Sequence, residues 1–286
     1  MEFAGLARHA DGRPWVMGIV NATPDSFSDG GVRLDPRRAV EDALAMVADG
    51  ADIVDVGGES TRPGAADVPV DEELRRVLPV VRELAAAGTV VSIDTRRASV
   101  MEAALDAGAR IVNDVSALRD DPRSMASMAR HRCSIVLMHR RGTAADRYAG
   151  PDYRDVVTDV RDFLAARIAA CMAAGIDAGR IAIDPGIGFG KLPSSGYDPD
   201  QNLRLIAGVP ALAALGRPVL IGVSRKPFVG RISGEPDAAR RLGGSLALAL
   251  EAARLGAAIV RVHDVRETVQ ALKAWAALRA AASRTG

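Results

Sequence analysis

Arg62 in DVGGESTRPG, Lys226 in GVSRK, and Arg261 with His263 in RVHDV are four cationic or donor side chains set in short motifs far apart in the chain. Arginine binds phosphate oxygens as a bidentate fork and lysine as a point charge. Brought together with the amide of Asn21, they would suit a substrate bearing two phosphates. A solvated charged rim would account for the arginines but not for His263, lodged between a strand and a loop. DVGGESTRPG also offers Gly-Gly for close backbone approach and hydroxyls at Ser60 and Thr61.

Asp94, Asn113 and Asp184 have a different character. Two part-buried carboxylates and an amide can accept from, and donate to, the edge of a flat heterocycle carrying amino and amide groups. DPGIGFGK, from Asp184 to Lys191, adds three glycines for tight turns and a ring at Phe189, with a spacing that is not that of a P-loop. NATPDSFSDGG, from Asn21 to Gly31, is too long for a tight strand-to-helix turn. Phe27 in its middle is a large apolar ring that needs something to cover. The segment reads either as a substrate lid or as an Ω-loop packed by its own ring. No Ser-His-Asp or Cys-His arrangement is apparent. The four histidines are too dispersed to suggest a metal cluster, and His9 and His131 read as surface residues. The chemistry this predicts is positioning and electrostatic stabilisation, not covalent catalysis.

The elements that must position these groups are short apolar runs at Val16–Val20, Asp52–Val56, Val90–Asp94, Arg110–Asp114, Ser134–Met138, Ile181–Asp184, Pro218–Val223 and Ala258–Val262. Near-continuous apolar character is expected of parallel strands buried on both faces. Between them lie amphipathic stretches at Pro36–Asp49, Val70–Ala87, Ala98–Ala107, Tyr153–Ala174 and Arg240–Leu255, followed by Gly50, Gly88, Gly108, Gly175 and Gly256. Glycine is the usual residue just past a helix C-terminus. Eight such units in series predict an α/β protein with a closed (β/α)8 TIM barrel, an open doubly wound sheet being the alternative. Each run ends in polar residues, and in this barrel the C-terminal strand ends carry the site. Any single Asp or Asn there could instead cap the next helix; eight together are poorly explained that way.

A length of 286 residues suits one barrel of roughly 250, with residues 1–14 as an N-terminal extension and 15–286 as the barrel domain. The 37 basic and 36 acidic residues nearly cancel, so net charge gives no reason to expect nucleic-acid or membrane-surface binding. Cys133 and Cys171 form no C-x-x-C pair and read as reduced core thiols. No apolar run approaches the roughly 20 residues of a spanning helix, and a soluble cytoplasmic protein is expected.

In this order, GIVNATPDSFSDGG, DVGGESTRPG, SIDT, NDVS, LMH, DPGIGFGK, SRK and RVHDV closely resemble the dihydropteroate synthases, from about Met17 to Ala271. The resemblance implies a transferase of folate biosynthesis. It would condense 6-hydroxymethyl-7,8-dihydropterin diphosphate with p-aminobenzoate, giving 7,8-dihydropteroate and pyrophosphate by dissociative substitution. It further implies that Asp94, Asn113, Asp184 and Lys226 hold the pterin edge, with Arg261 stacked on its face and Met138 lining the pocket. Asn21, Thr61, Arg62, Arg261 and His263 would grip the diphosphate, Asn21 also binding Mg²⁺. Phe27, Pro63, Phe189 and Lys226 would enclose p-aminobenzoate, and Asp29 would help stabilise the pterin cation. A homodimer is implied as well.

The chain departs from the family pattern twice. Pro227 follows Lys226 where a residue such as Ser, with a hydroxyl for the p-aminobenzoate carboxylate, is common. LPSSGYDPDQ intervenes after Lys191, with Gln201 in place of a His before Asn202. Both bear on p-aminobenzoate and sulfonamides. Two other readings stand beside this one: a pterin-binding methyltransferase domain, which needs no diphosphate grip, and a non-catalytic pterin-binding paralogue.

Overall fold

The computed structural model describes residues 2–22, 36–59, 67–141, 153–189 and 200–283. A short antiparallel hairpin comes first, β1 (Glu2–Phe3) with β2 (Leu6–Ala7). Eight parallel strands follow: β3 (Trp15–Asn21), β4 (Ile53–Gly57), β5 (Val91–Asp94), β6 (Ile111–Asp114), β7 (Ser134–Met138), β8 (Ile181–Asp184), β9 (Leu220–Ile221) and β10 (Ile259–Val262). They are ordered β8-β7-β6-β5-β4-β3-β10-β9, and an Ile183–Val219 bridge joins the two ends. The predicted barrel therefore closes. All eight predicted strands are present, and the seventh is the most shortened, from Pro218–Val223 to Leu220–Ile221. Pro218 has no N–H to give a ladder, though its carbonyl accepts from Ile183 N–H at 2.9 Å and so helps the closure.

The helices α1 (Pro36–Ala48), α2 (Val70–Ala86), α3 (Ala98–Asp106), α5 (Val156–Ala173) and α9 (Leu242–Arg254) lie within a residue or three of their predicted ends. The five glycines expected after them all have left-handed φ, from +80° at Gly88 to +106° at Gly108. Also present are α4 (Ser124–Arg130), α6 (Asp200–Ala207), α7 (Val209–Ala213), α8 (Pro227–Ser233) and α10 (Val265–Ala282). These lacked a strong periodic signal because several are only five to eight residues long.

The strands bury both faces. Outward residues such as Val54, Val91, Ile93 and Val112 pack under the helices. Inward residues at the N-terminal end, among them Met17, Ile53, Ile111, Val136, Leu220 and Ile259, form a second cluster with Trp15 and Phe3. The hairpin delivers Phe3 to that barrel floor, its ring 6.4 Å from the Trp15 ring. Each large apolar side chain so buried contributes roughly 1.5–3 kcal/mol. The floor is mainly apolar, with Ser92 and Ser134 the buried polar residues beside it. Side chains on a strand return to the same face every second residue, so the next inward layer is fixed: Asp55 above Ile53, Asn113 above Ile111, Met138 above Val136, Asp184 above Ala182, Arg261 above Ile259. That layer carries the chemistry.

Candidate active site

Ladder register places Asn21, Asp94 and Asn113 along one line, and Met138 and Asp184 two residues further along their strands, since Asn113 pairs with Val136 and Val136 with Ala182. Asn21 pairs with Gly57, Gly57 with Asp94, and Asp94 with Asn113, while Met138 pairs with Asp184. The expected heterocycle-binding groups thus share the barrel mouth. Asn113, Met138 and Asp184 are buried.

Arg261 is the hub. Its Nε donates to Asp55 Oδ2 at 2.6 Å and its Nη2 to Asp94 Oδ2 at 2.9 Å. Asp55 Oδ2 also accepts from Asn113 Nδ2 at 2.9 Å. Burial works to lower the Arg261 pKa, but the carboxylates of Asp55 and Asp94 outweigh it and raise it. For Asp94 burial wins: its carboxyl is pushed up to about 7 despite Arg261, with Asp55 and Asp114 adding to the rise. Asp55 is fully buried, and its Oδ1 has no hydrogen-bond partner among the described residues. Sequence reasoning quoted Asp55 within its motif but gave it no role. Its inward register, two residues beyond Ile53, was the signal available.

Lys226 approaches from the other side. Its Nζ donates to the Ile187 carbonyl and lies 5.0 Å from the centroid of the Phe189 ring. Burial pulls its ammonium down to about 8, opposed by Asp184 and assisted by Arg261. Gly188, at φ +82°, must be glycine: a Cβ there would sit 3.2 Å from Lys226 Cδ. The Gly188 N–H is held by Asn202 Oδ1 at 2.7 Å, which ties the DPGIGFGK turn to α6. Gly222 lies beneath both cations, a Cβ there being 3.8 Å from Arg261 Cβ and 3.9 Å from Lys226 Nζ. Asp184 Oδ1 also accepts the Gly186 N–H at 2.6 Å, fixing the same turn.

His263 is oriented by Ser224. The Ser224 Oγ accepts from the His263 backbone N–H at 3.2 Å and stands 3.0 Å from Nδ1. These two contacts fix the imidazole ring at the end of β10.

Not every polar strand end belongs to the site. Asp114 accepts from the backbone N–H groups of Ser116 and Leu118, at 2.6 and 2.9 Å, so it shapes a local turn. His139 packs edge-on against Phe163, 4.8 Å between centroids. His9 is a correction: expected at the surface, it is part-buried and lies 3.0 Å from the Asp52 carboxylate, which also accepts Val16 N–H. Phe27, Asp29, Thr61, Arg62 and Pro63 lie outside the described residues, as does the insertion after Lys191 up to its last two residues, Asp200 and Gln201, which begin α6. Cys133 and Cys171 are buried free thiols, as expected.

Carboxylates and an amide gather at the barrel mouth with two cations beside them, and the pterin binding enzyme family matches residues 17–263; this is a pterin-binding barrel. The dihydropteroate synthase of Mycobacterium leprae is 50% identical over 264 residues, 90% of this chain and 91% of that protein. Dihydropteroate synthase of Xanthomonas albilineans with 4-aminobenzoic acid superposes with a TM-score of 0.86 at 49% identity, covering 94% of each chain. The same enzyme in complex with 7,8-dihydropteroate gives 0.84 at 45% identity, covering 95% of this chain and 96% of that one. The chain belongs to the dihydropteroate synthase family.

Proposed function

We propose that the dihydropteroate synthase reaction runs at this barrel mouth as a dissociative substitution at the pterin methylene. The C–O bond to the diphosphate breaks and pyrophosphate leaves with the electron pair. The aniline nitrogen of p-aminobenzoate then forms the C–N bond and loses its proton to solvent, giving 7,8-dihydropteroate. The observation that carries this is the convergence of Asp94, Asn113 and Asp184 around Lys226 and Arg261 at the barrel mouth. In this reading those groups hold the pterin edge, Arg261 lies against its face and Met138 lines the pocket. Lys226 and Phe189, with Phe27 and Pro63, enclose p-aminobenzoate. Asn21, Thr61, Arg62, Arg261 and His263 take the diphosphate, and Asp29 stabilises the cation. A neutral aniline is already nucleophilic, so the reaction asks for no dedicated base. Electrostatic stabilisation of the departing charge is the main contribution.

The same reading includes Mg²⁺. Among the described residues no cluster of three His, Cys, Asp or Glu could hold a metal. One amide at the end of β3 fits this ion nonetheless, because Mg²⁺ keeps several waters and takes substrate phosphate oxygens in place of a protein cage. Asn21 would hold it, and the ion would supply charge neutralisation on the leaving group. A homodimer is part of the proposal, as the family resemblance implies. No helix of the described residues is long and apolar enough to cross a membrane, in keeping with the cytoplasmic location proposed.

A turnover assay tests the reading. Pyrophosphate release that depends on p-aminobenzoate is expected, and Asp94→Ala and Asp184→Ala should each abolish pterin binding by calorimetry with the fold intact. Unchanged affinity in both variants would remove the pterin assignment.

A further inference from the structure

Arg225, between Ser224 and Lys226, has φ +57°. A residue with a Cβ occupies the left-handed region only where its surroundings hold it there. Three residues do so. The Arg225 N–H donates to Ser245 Oγ at 3.0 Å, and its carbonyl accepts from Arg241 Nη1 at 2.9 Å. Its guanidinium grips the Asp264 carboxylate with two bonds, one of them Nε to Oδ2 at 3.0 Å. Ser245 Oγ in turn donates to the Arg241 carbonyl at 2.7 Å.

Close helix packing delivers these groups. A Cβ on Gly230 of α8 would lie 2.4 Å from Arg241 Nε, and one on Gly244 of α9 would lie 2.7 Å from Val229. The two glycines let α8 and α9 approach, so Arg241 reaches both the Glu235 carbonyl, at 3.0 Å, and Arg225. Consecutive residues after β9 are thereby cross-linked to consecutive residues after β10: Ser224 to His263, and Arg225 to Asp264. A displacement of either segment must displace the other. Lys226 leaves this kink directly for its place over Gly188.

We propose that Arg225, Asp264, Arg241 and Ser245 form a clamp that positions Lys226 and His263 as one unit toward the pterin diphosphate. None of the four needs to touch substrate; they are positioning residues. The inference rests on Lys226 and His263 contacting that substrate as proposed above.

Ser245→Ala and Asp264→Asn test it in the full-length enzyme, with Lys226→Met and His263→Gln measured beside them. Both clamp variants are expected to lower kcat at least ten-fold and to weaken binding of the pterin diphosphate. The alkaline limb of the pH–rate profile, near pH 8 where Lys226 loses its proton, should move upward as the loosened ammonium gains solvent. A purely structural role would lower the melting temperature and leave that limb in place. Ser245→Ala removes only a hydroxyl, and decides the matter alone if Asp264→Asn does not fold. Parental kcat, pterin affinity and alkaline limb in folded clamp variants, beside inactive Lys226→Met and His263→Gln, would overturn the clamp alone. Full activity in Lys226→Met and His263→Gln would overturn the site reading and the clamp with it.

Discussion

Arg261 donates its Nε to the buried carboxylate of Asp55, 206 positions earlier in the chain, at 2.6 Å. The same oxygen accepts the Asn113 amide, so one fully buried acid orients two groups of the pterin site. Without it the Asn113 amide and the Arg261 guanidinium would each lose a hydrogen-bond partner, the guanidinium keeping Asp94.

Asp55→Ala should therefore cost more than its distance from the substrate suggests. Breaking an isolated buried ion pair costs about 3–5 kcal/mol because it strands the other charge; Arg261 keeps Asp94 and some solvent, so the loss should fall below that range. Chemical denaturation should show that loss, and calorimetry should show weaker pterin binding. Asp55→Asn keeps the shape and should retain more stability than the alanine variant. Equal stability of Asp55→Ala and the parent would refute the hub.

Asp94 makes pterin binding pH-dependent. Its carboxyl, pushed up to about 7 mainly by burial, must be ionised to accept from both an N–H and an amino group of the heterocycle. Affinity should rise as pH increases through 7 and then level off, with proton release visible when titrations are repeated in buffers of different ionisation enthalpy. Stability has the opposite slope. Because the folded state holds this proton more tightly than the unfolded chain, the folded protein gains from protonation below about pH 4 and loses that gain as pH rises toward 7. Asp94→Asn should flatten both trends.

The leaving-group contacts should act on the transition state. Negative charge on the pyrophosphate grows as the C–O bond breaks, so Asn21, Arg62 and His263 count most there. Alanine variants should lose turnover far more than they lose affinity for a pterin without diphosphate. Chelation of Mg²⁺ should reproduce the Asn21 variant, whereas full activity in EDTA would sink the assignment.

Pro227 sits at the first turn of α8, directly after Lys226, where a missing N–H costs nothing and its fixed φ suits the helix start. It still offers no hydroxyl to a p-aminobenzoate carboxylate, a charge-assisted bond worth roughly 1.5–3 kcal/mol. Pro227→Ser should lower KM for p-aminobenzoate several-fold, strengthen sulfonamides in parallel and leave KM for the pterin diphosphate nearly unchanged. Unaltered p-aminobenzoate kinetics would place the carboxylate elsewhere, first at Ser60 or Thr61.

The sequence alone determined the barrel and most of its mouth. Eight apolar runs with polar ends, spaced by amphipathic stretches and glycines, leave few other ways to bury every strand on both faces. Because strand side chains alternate, Asn113, Asp184 and Arg261 all had to face the barrel interior, each two residues beyond an inward apolar residue. Tertiary structure decided what local pattern cannot encode. Asp55 became the hub because β4, β6 and β10 bring partners from 58 and 206 positions away to one oxygen. Asp114, at an equally polar strand end, turned inward on its own loop, since two backbone N–H groups two and four residues ahead lay within reach. The hairpin at Glu2–Ala7 has no periodicity to read, and Phe3 is buried only because the barrel floor needs covering. The left-handed Arg225 is held by Ser245, Arg241 and Asp264, contacts that exist only after α8, α9 and β10 have packed.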